Sequence, residues 1–186
     1  MKILFLAANP ESTNHLNLGE EAREIQDALD SSQLSSEFEL IQRWKVRPKD
    51  FRRALLRHQP DIVHFSGHGS GKTGLIITND AGESKKVSGN ALAGLFAAFP
   101  MVKCVLLNAC YAEVQARSIV KHVDYVIGMK DTIYDNAARA FSIGFYDSLG
   151  YGKNFEEAFA LGSNAILWEY DNSTGQKRDE PRELIP

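Results

Sequence analysis

Asp61-Ile62-Val63-His64-Phe65-Ser66-Gly67-His68-Gly69-Ser70 opens with a six-residue run that carries Ile62, Val63 and Phe65 and then breaks into glycine. Asp61 to Ser66 is rich in strand-forming residues, and the glycine-rich segment from Gly67 to Gly74 reads as a loop. Short apolar runs closed by turn residues are characteristic of strands buried on both faces of a parallel sheet. Val102 to Leu107 has the same character and passes into Asn108-Ala109-Cys110-Tyr111. Tyr125-Val126-Ile127-Gly128-Met129 follows suit before Lys130-Asp131-Thr132, and Lys2 to Ala8 is a further apolar run.

Segments of helical period fill the gaps. Leu18, Ala22, Ile25 and Leu29 recur at steps of four, three and four, with acidic and polar residues assigned to the opposite face. Pro48 suits the first turn of a helix whose apolar face is Phe51, Ala54 and Leu55, ending at His58-Gln59-Pro60. Ser88 is a natural N-cap for a helix from Gly89 to Phe99. Further helices are expected over Ala112 to His122, Asn136 to Leu149 and Phe155 to Trp168. Phe38 to Ile41 is a weaker strand, and Leu75 to Thr78 with Lys85 to Val87 forms a small hairpin. The alternation predicts an α/β fold: a three-layer sandwich with a mostly parallel sheet, helices on both faces and a small β-hairpin insertion. Residues 1–170 form one domain in this reading, and 171–186, polar and mixed in charge, form a mobile tail.

Composition sets limits. A chain of 186 residues buries roughly 70% of its unfolded surface, enough for one domain with a real core. With 44% apolar and 24% charged residues, a disordered chain is excluded. A net charge of −3 argues against a general nucleic-acid surface. The two cysteines, Cys104 and Cys110, make no disulfide framework and suit a reducing cytoplasm. The apolar start ends after about six residues at Asn9-Pro10-Glu11, too short for a signal core. Ala91 to Val102 is interrupted by Pro100 and falls short of a membrane span. A cytoplasmic protein without membrane contact is expected.

In open α/β sheets, sites gather beyond the carboxyl ends of the strands. There the sequence places Gly67-His68-Gly69-Ser70, Asn108-Ala109-Cys110-Tyr111 and Lys130-Asp131-Thr132. His68 and Cys110 thus stand at one edge, on strands expected to be neighbours, with Cys110 opening a helix whose dipole favours a thiolate. That is what a Cys-His nucleophilic site requires. The plainer alternatives are a loop histidine set by turn chemistry and a small buried residue at a helix start. His64 and Cys104 lie inside strands and read as core, and Lys85-Lys86 reads as a solvated hairpin edge. Ser66 to Thr73 comes one residue from a phosphate-binding loop, and Gly69 to Gly74 fits a dinucleotide pattern. Both lack the following helix that would hold phosphate. No metal-ligand cluster and no cofactor motif is visible.

The segments from Asp61 to Ser70 and from Val105 to Tyr111 together resemble the two signature segments of CHAT domains, within the caspase-like cysteine peptidases. Tyr125 to Met129, Ala140-Phe141 and Phe145 to Gly150 match the same pattern. The resemblance implies a caspase-like sandwich, with Cys110 as nucleophile and His68 as catalytic histidine. It also implies an oxyanion hole from the backbone N–H groups of Gly69 and Cys110, and cleavage of a protein or peptide substrate. Relatives that cut after Arg or Lys use a buried carboxylate. Metacaspases carry one two residues before the nucleophile, where this chain has neutral Asn108. Asp131, with Asp135 second, is the expected substitute, a carboxylate being a good partner for Arg. A catalytically silent CHAT-fold interaction module and a nucleotide-binding α/β protein are the competing readings. CHAT domains commonly adjoin repeat or sensor domains, so a separate regulatory partner is expected.

Overall fold

The computed structural model describes residues 1–131, 134–170 and 183–185. Its elements run β1 (Lys2–Ala8), α1 (Leu18–Asp30), β2 (Glu39–Arg43), α2 (Pro48–His58), β3 (Ile62–Gly69), β4 (Leu75–Thr78), β5 (Ser84–Val87), α3 (Gly89–Phe96), β6 (Cys104–Asn108), α4 (Glu113–Ile119), β7 (Tyr125–Gly128), α5 (Asp135–Gly150), α6 (Phe155–Tyr170) and β8 (Glu183–Ile185). The main sheet has the order β2-β1-β3-β6-β7-β8. Its first five strands are parallel, and β8 joins antiparallel to β7. The hairpin of β4 and β5 branches from the end of β3.

Alternation along the strands sorts the core into two layers. Leu4, Leu6, Val63, Phe65, Val105 and Leu107 face α2, α3, α4 and the hairpin. Ile3, Phe5, Ile62, Cys104, Leu106 and Ile127 face α1, α5 and α6. The expected three-layer α/β sandwich is therefore present, with helices on both faces and a hairpin insertion. On the second face α5 and α6 approach closely: a Cβ on Gly162 would stand 2.8 Å from the Phe141 carbonyl oxygen. None of the described helices is long and apolar enough to cross a membrane.

Local chemistry accounts for most boundaries. Pro48 stands at the start of α2, and Gln59 closes the helix in the left-handed region at φ 46°. Ser88 caps α3 by accepting from the Ala91 N–H at 3.3 Å. Several elements differ from the sequence expectation. β3 continues through Gly67-His68-Gly69 instead of ending at Ser66, because β4 folds back onto it and pairs His68 with Ile76 and Gly69 with Leu75. Helix α3 stops at Phe96 and helix α4 spans only Glu113–Ile119, so Cys110 lies in a turn ahead of α4 and does not open it. Asp135, expected in a loop, is the first residue of α5. Glu21 lies on the buried face of α1, not on its polar face. Of the segment expected as a tail, 171–182 and 186 lie outside the described residues, and Glu183–Ile185 forms β8.

Candidate active site

The register of the two central strands positions the site. β3 and β6 run parallel, and their last register pair is Ser66 with Asn108. His68 and Cys110 each follow two residues later, so both emerge at the same carboxyl rim. They line one small cleft of about 50 Å³ with Leu16, Ser66, Gly67, Asn108, Ala109, Asp135 and Ala138. Both residues are partly exposed. A wider depression of about 650 Å³ adjoins it across Leu16, walled by the β1–α1 loop with Trp44 and Lys45.

Three features hold these two positions. First, the His68 Nε2 lies 2.8 Å from the Asn14 carbonyl oxygen. A carbonyl only accepts, so in this contact Nε2 carries the hydrogen and Nδ1 is left as the basic nitrogen of a neutral ring. Second, Gly69 presses on the backbone of Cys110: an added Cβ would fall 1.9 Å from the Cys110 carbonyl oxygen. Only glycine permits that approach. Third, Tyr111 adopts φ 54° directly after Cys110, an unusual conformation for a bulky residue. Its N–H donates to the Asp131 carbonyl at 3.2 Å, which ties the turn to the end of β7.

Beneath the cleft lies a polar cluster absent from the sequence reading. Glu21, 2% exposed, accepts from Ser66 Oγ and Asn108 Nδ2, and from Ser142 Oγ at 2.9 Å. The buried His64 places Nε2 3.3 Å from Glu21 Oε1, without the alignment of a hydrogen bond. Its Nδ1 meets the Tyr146 hydroxyl at 3.2 Å, and its ring stacks on that of Tyr146. Burial alone would push the Glu21 carboxyl up. The contact with His64 and the hydroxyls of Ser66 and Ser142 outweigh it and hold the carboxyl below its ordinary value.

The sequence-derived candidates divide on inspection. His68, Cys110, Asn108 and Asp135 meet at the cleft, and Gly69 packs against Cys110. Asn108 is buried with its amide on Glu21. Asp131 is exposed and not among the cleft-lining residues, its backbone engaged with Tyr111. Asp135 reaches the cleft from the first turn of α5, where Oδ2 accepts from the Asn17 N–H at 3.3 Å. His64 and Cys104 are core, and burial pushes the Cys104 thiol well above the ordinary range. Gly71–Thr73 is a single 3₁₀ turn followed by β4, without the helix a phosphate loop needs. Among the described residues no group of three or more His, Cys, Asp or Glu side chains could hold a metal ion.

A parallel sheet with a histidine and a cysteine at adjacent strand ends, sandwiched between helices, defines the caspase-like α/β class. Residues 6–181 match the CHAT domain, and the chain belongs to that family. It is 27% identical over 173 residues to a Roc-COR-CHAT protease from an unknown prokaryotic organism, covering 89% of this chain and 16% of the relative. It is 28% identical over 179 residues to a probable protease of Gillisia limnaea, covering 91% of this chain and 31% of the relative. The chain therefore spans less than a third of either relative. Among solved structures, a secreted C11 cysteine protease from Bacteroides thetaiotaomicron superposes with a TM-score of 0.69 at 15% identity, covering 95% of this chain and 61% of that one. Caspase-1 from Spodoptera frugiperda does so with a TM-score of 0.65 at 11% identity, covering 100% and 85%. These likenesses establish a caspase-like fold.

Proposed function

We propose that the chain is a cysteine endopeptidase acting through Cys110 and His68. The observation that carries this reading is the register of β3 and β6, which brings the two residues to one cleft. The family membership and the relatives named as proteases support it. His68 Nδ1 takes the Cys110 thiol proton as Sγ attacks the scissile carbonyl carbon, forming a C–S bond. The oxyanion is received by the N–H groups of Gly69 and Cys110, whose peptide units lie in close contact. The C–N bond breaks as His68 Nδ1 delivers a proton to the leaving amine. Water then attacks the thioester, passing a proton to Nδ1 and freeing the Cys110 sulfur. The Asn14 carbonyl keeps the ring oriented throughout, as the third member of a nucleophile–base–orienter set.

For specificity we assign Asp135 as the carboxylate that receives a basic side chain before the cut. It lines the cleft and Asp131 does not. A peptide-library digest tests both statements together. Wild type should cleave after Arg or Lys, and Cys110→Ala and His68→Ala should leave the library intact. Cleavage that survives Cys110→Ala would refute the mechanism. Cleavage after apolar residues would refute the specificity.

One observation favours the second reading, a CHAT-fold module that binds without cutting. The cleft of about 50 Å³ is far below the ~300 Å³ of a typical small-ligand site. Leu16 contributes to its lining, on a loop braced by the Asn9 amide donating to the Leu16 carbonyl at 3.0 Å. A protein that binds peptides while the library stays uncut would establish the module.

A further inference from the structure

Glu21 is a buried carboxylate that the chemistry of His68 and Cys110 does not use directly. A charge leaves water only where its partners compensate for the loss. Its hydrogen-bonding partners stand on three elements: Ser66 on β3, Asn108 on β6 and Ser142 on α5. Ser66 and Asn108 are also the last register pair of the β3–β6 ladder. Beyond them the strands part: β3 continues into pairing with β4, and β6 enters the turn that holds Cys110. Residues two apart in a strand share a face, so Ser66 lies directly below His68. Glu21 thus grips the chain at the last point where the two strands are held in register.

We infer that Glu21 is a positioning residue of this site. Through Ser66 and Asn108 its carboxylate anchors the ends of β3 and β6 to α1 and α5, and so sets how His68 meets Cys110. The inference rests on the dyad reading of the preceding subsection. His64 packs against the same carboxylate, with Nε2 3.3 Å from Glu21 Oε1.

The test reads the dyad without a substrate. The pH profile of Cys110 alkylation by iodoacetamide is measured by peptide mapping in the full chain. Wild type is compared with His68→Ala, Glu21→Ala, Glu21→Gln and the His68→Ala/Glu21→Ala double variant. Cys104, fully buried, reports folding by staying unmodified. Glu21→Ala should move the profile towards that of His68→Ala and slow alkylation near neutral pH by about tenfold, the scale of a small misplacement in a reacting pair. The double variant should match His68→Ala alone, because coupled residues are non-additive. Glu21→Gln, which can accept from Asn108 and donate to Ser66, should restore the profile to within about threefold of wild type.

A folded Glu21→Ala with the wild-type profile would overturn the inference, as would effects that multiply in the double variant. If Glu21→Ala exposes Cys104, Ser66→Ala replaces it under the same two criteria. A His68→Ala profile identical to wild type would instead defeat the dyad reading, and this inference with it.

Discussion

Gly69 and Cys110 meet so closely that one methyl group separates an assembled site from a displaced one. In Gly69→Ala the new Cβ would collide with the Cys110 carbonyl 1.9 Å away, and backbone cannot yield as a flexible side chain does. Turnover should fall by about 100-fold or more, with ~1–3 kcal/mol lost from stability through overpacking. Steady-state kinetics and urea melts on one preparation measure both. Asp135 makes a separate prediction. If it pairs with a basic side chain, Asp135→Asn should lower kcat/KM for an Arg substrate by about 10–100-fold, the worth of a charge-assisted hydrogen bond. It should change an uncharged substrate little. An equal loss on both would assign Asp135 to holding Asn17. At this scale the sequence was only partly legible. His68 and Cys110 were visible because glycine and small residues frame them beyond apolar runs. The Asn14 contact to His68 was not, since it is made by a backbone carbonyl that any residue supplies. Glu21 had a readable signal: it stands three residues after Leu18 and four before Ile25, within the apolar stripe of α1.

The strands show how one kind of element was easy to read and its ends were not. β1, β6 and β7 are buried on both faces, so continuous apolar runs announced them. The end of β3 was hidden because glycine normally signals a loop, while here Gly67 and Gly69 continue the strand into the hairpin. Pairing with a distant segment decided the matter, and no local propensity encodes that. The start of α4 was hidden for a related reason: the turn before it and its first residue are bonded to the segment after β7, through Tyr111 N–H to Asp131 and Glu113 N–H to Met129. The α5–α6 pair gives a prediction at this scale. Gly162→Ala would place a methyl 2.8 Å from the Phe141 carbonyl oxygen. Forcing the helices apart should cost about 1–3 kcal/mol in a denaturant melt.

For the whole molecule, the two-layered core and the buried polar cluster act together. Glu21 has a carboxyl held below its ordinary value of 4.5 in the folded chain. A depressed carboxyl stabilises the fold above its unfolded pKa, and that stability is lost as pH falls through the folded value. Wild type should therefore lose stability below about pH 4.5 more steeply than Glu21→Gln, which has no proton to take up there. Thermal melts from pH 7 to pH 3 check this, and parallel acid limbs would refute it. The overall architecture was legible because alternating apolar runs and helical periods leave few topologies. The antiparallel β8 was not, because Glu183–Ile185 is too short to carry a period.

The most direct measurement is covalent. The chain is treated with a peptide chloromethyl ketone ending in Arg, and the adduct is mapped by mass spectrometry in wild type and His68→Ala. One adduct on Cys110, formed at least about tenfold more slowly without His68, is the predicted result. Labelling of Cys110 at equal rates in both proteins, or none on Cys110 at all, would contradict a working pair at the shared rim of β3 and β6.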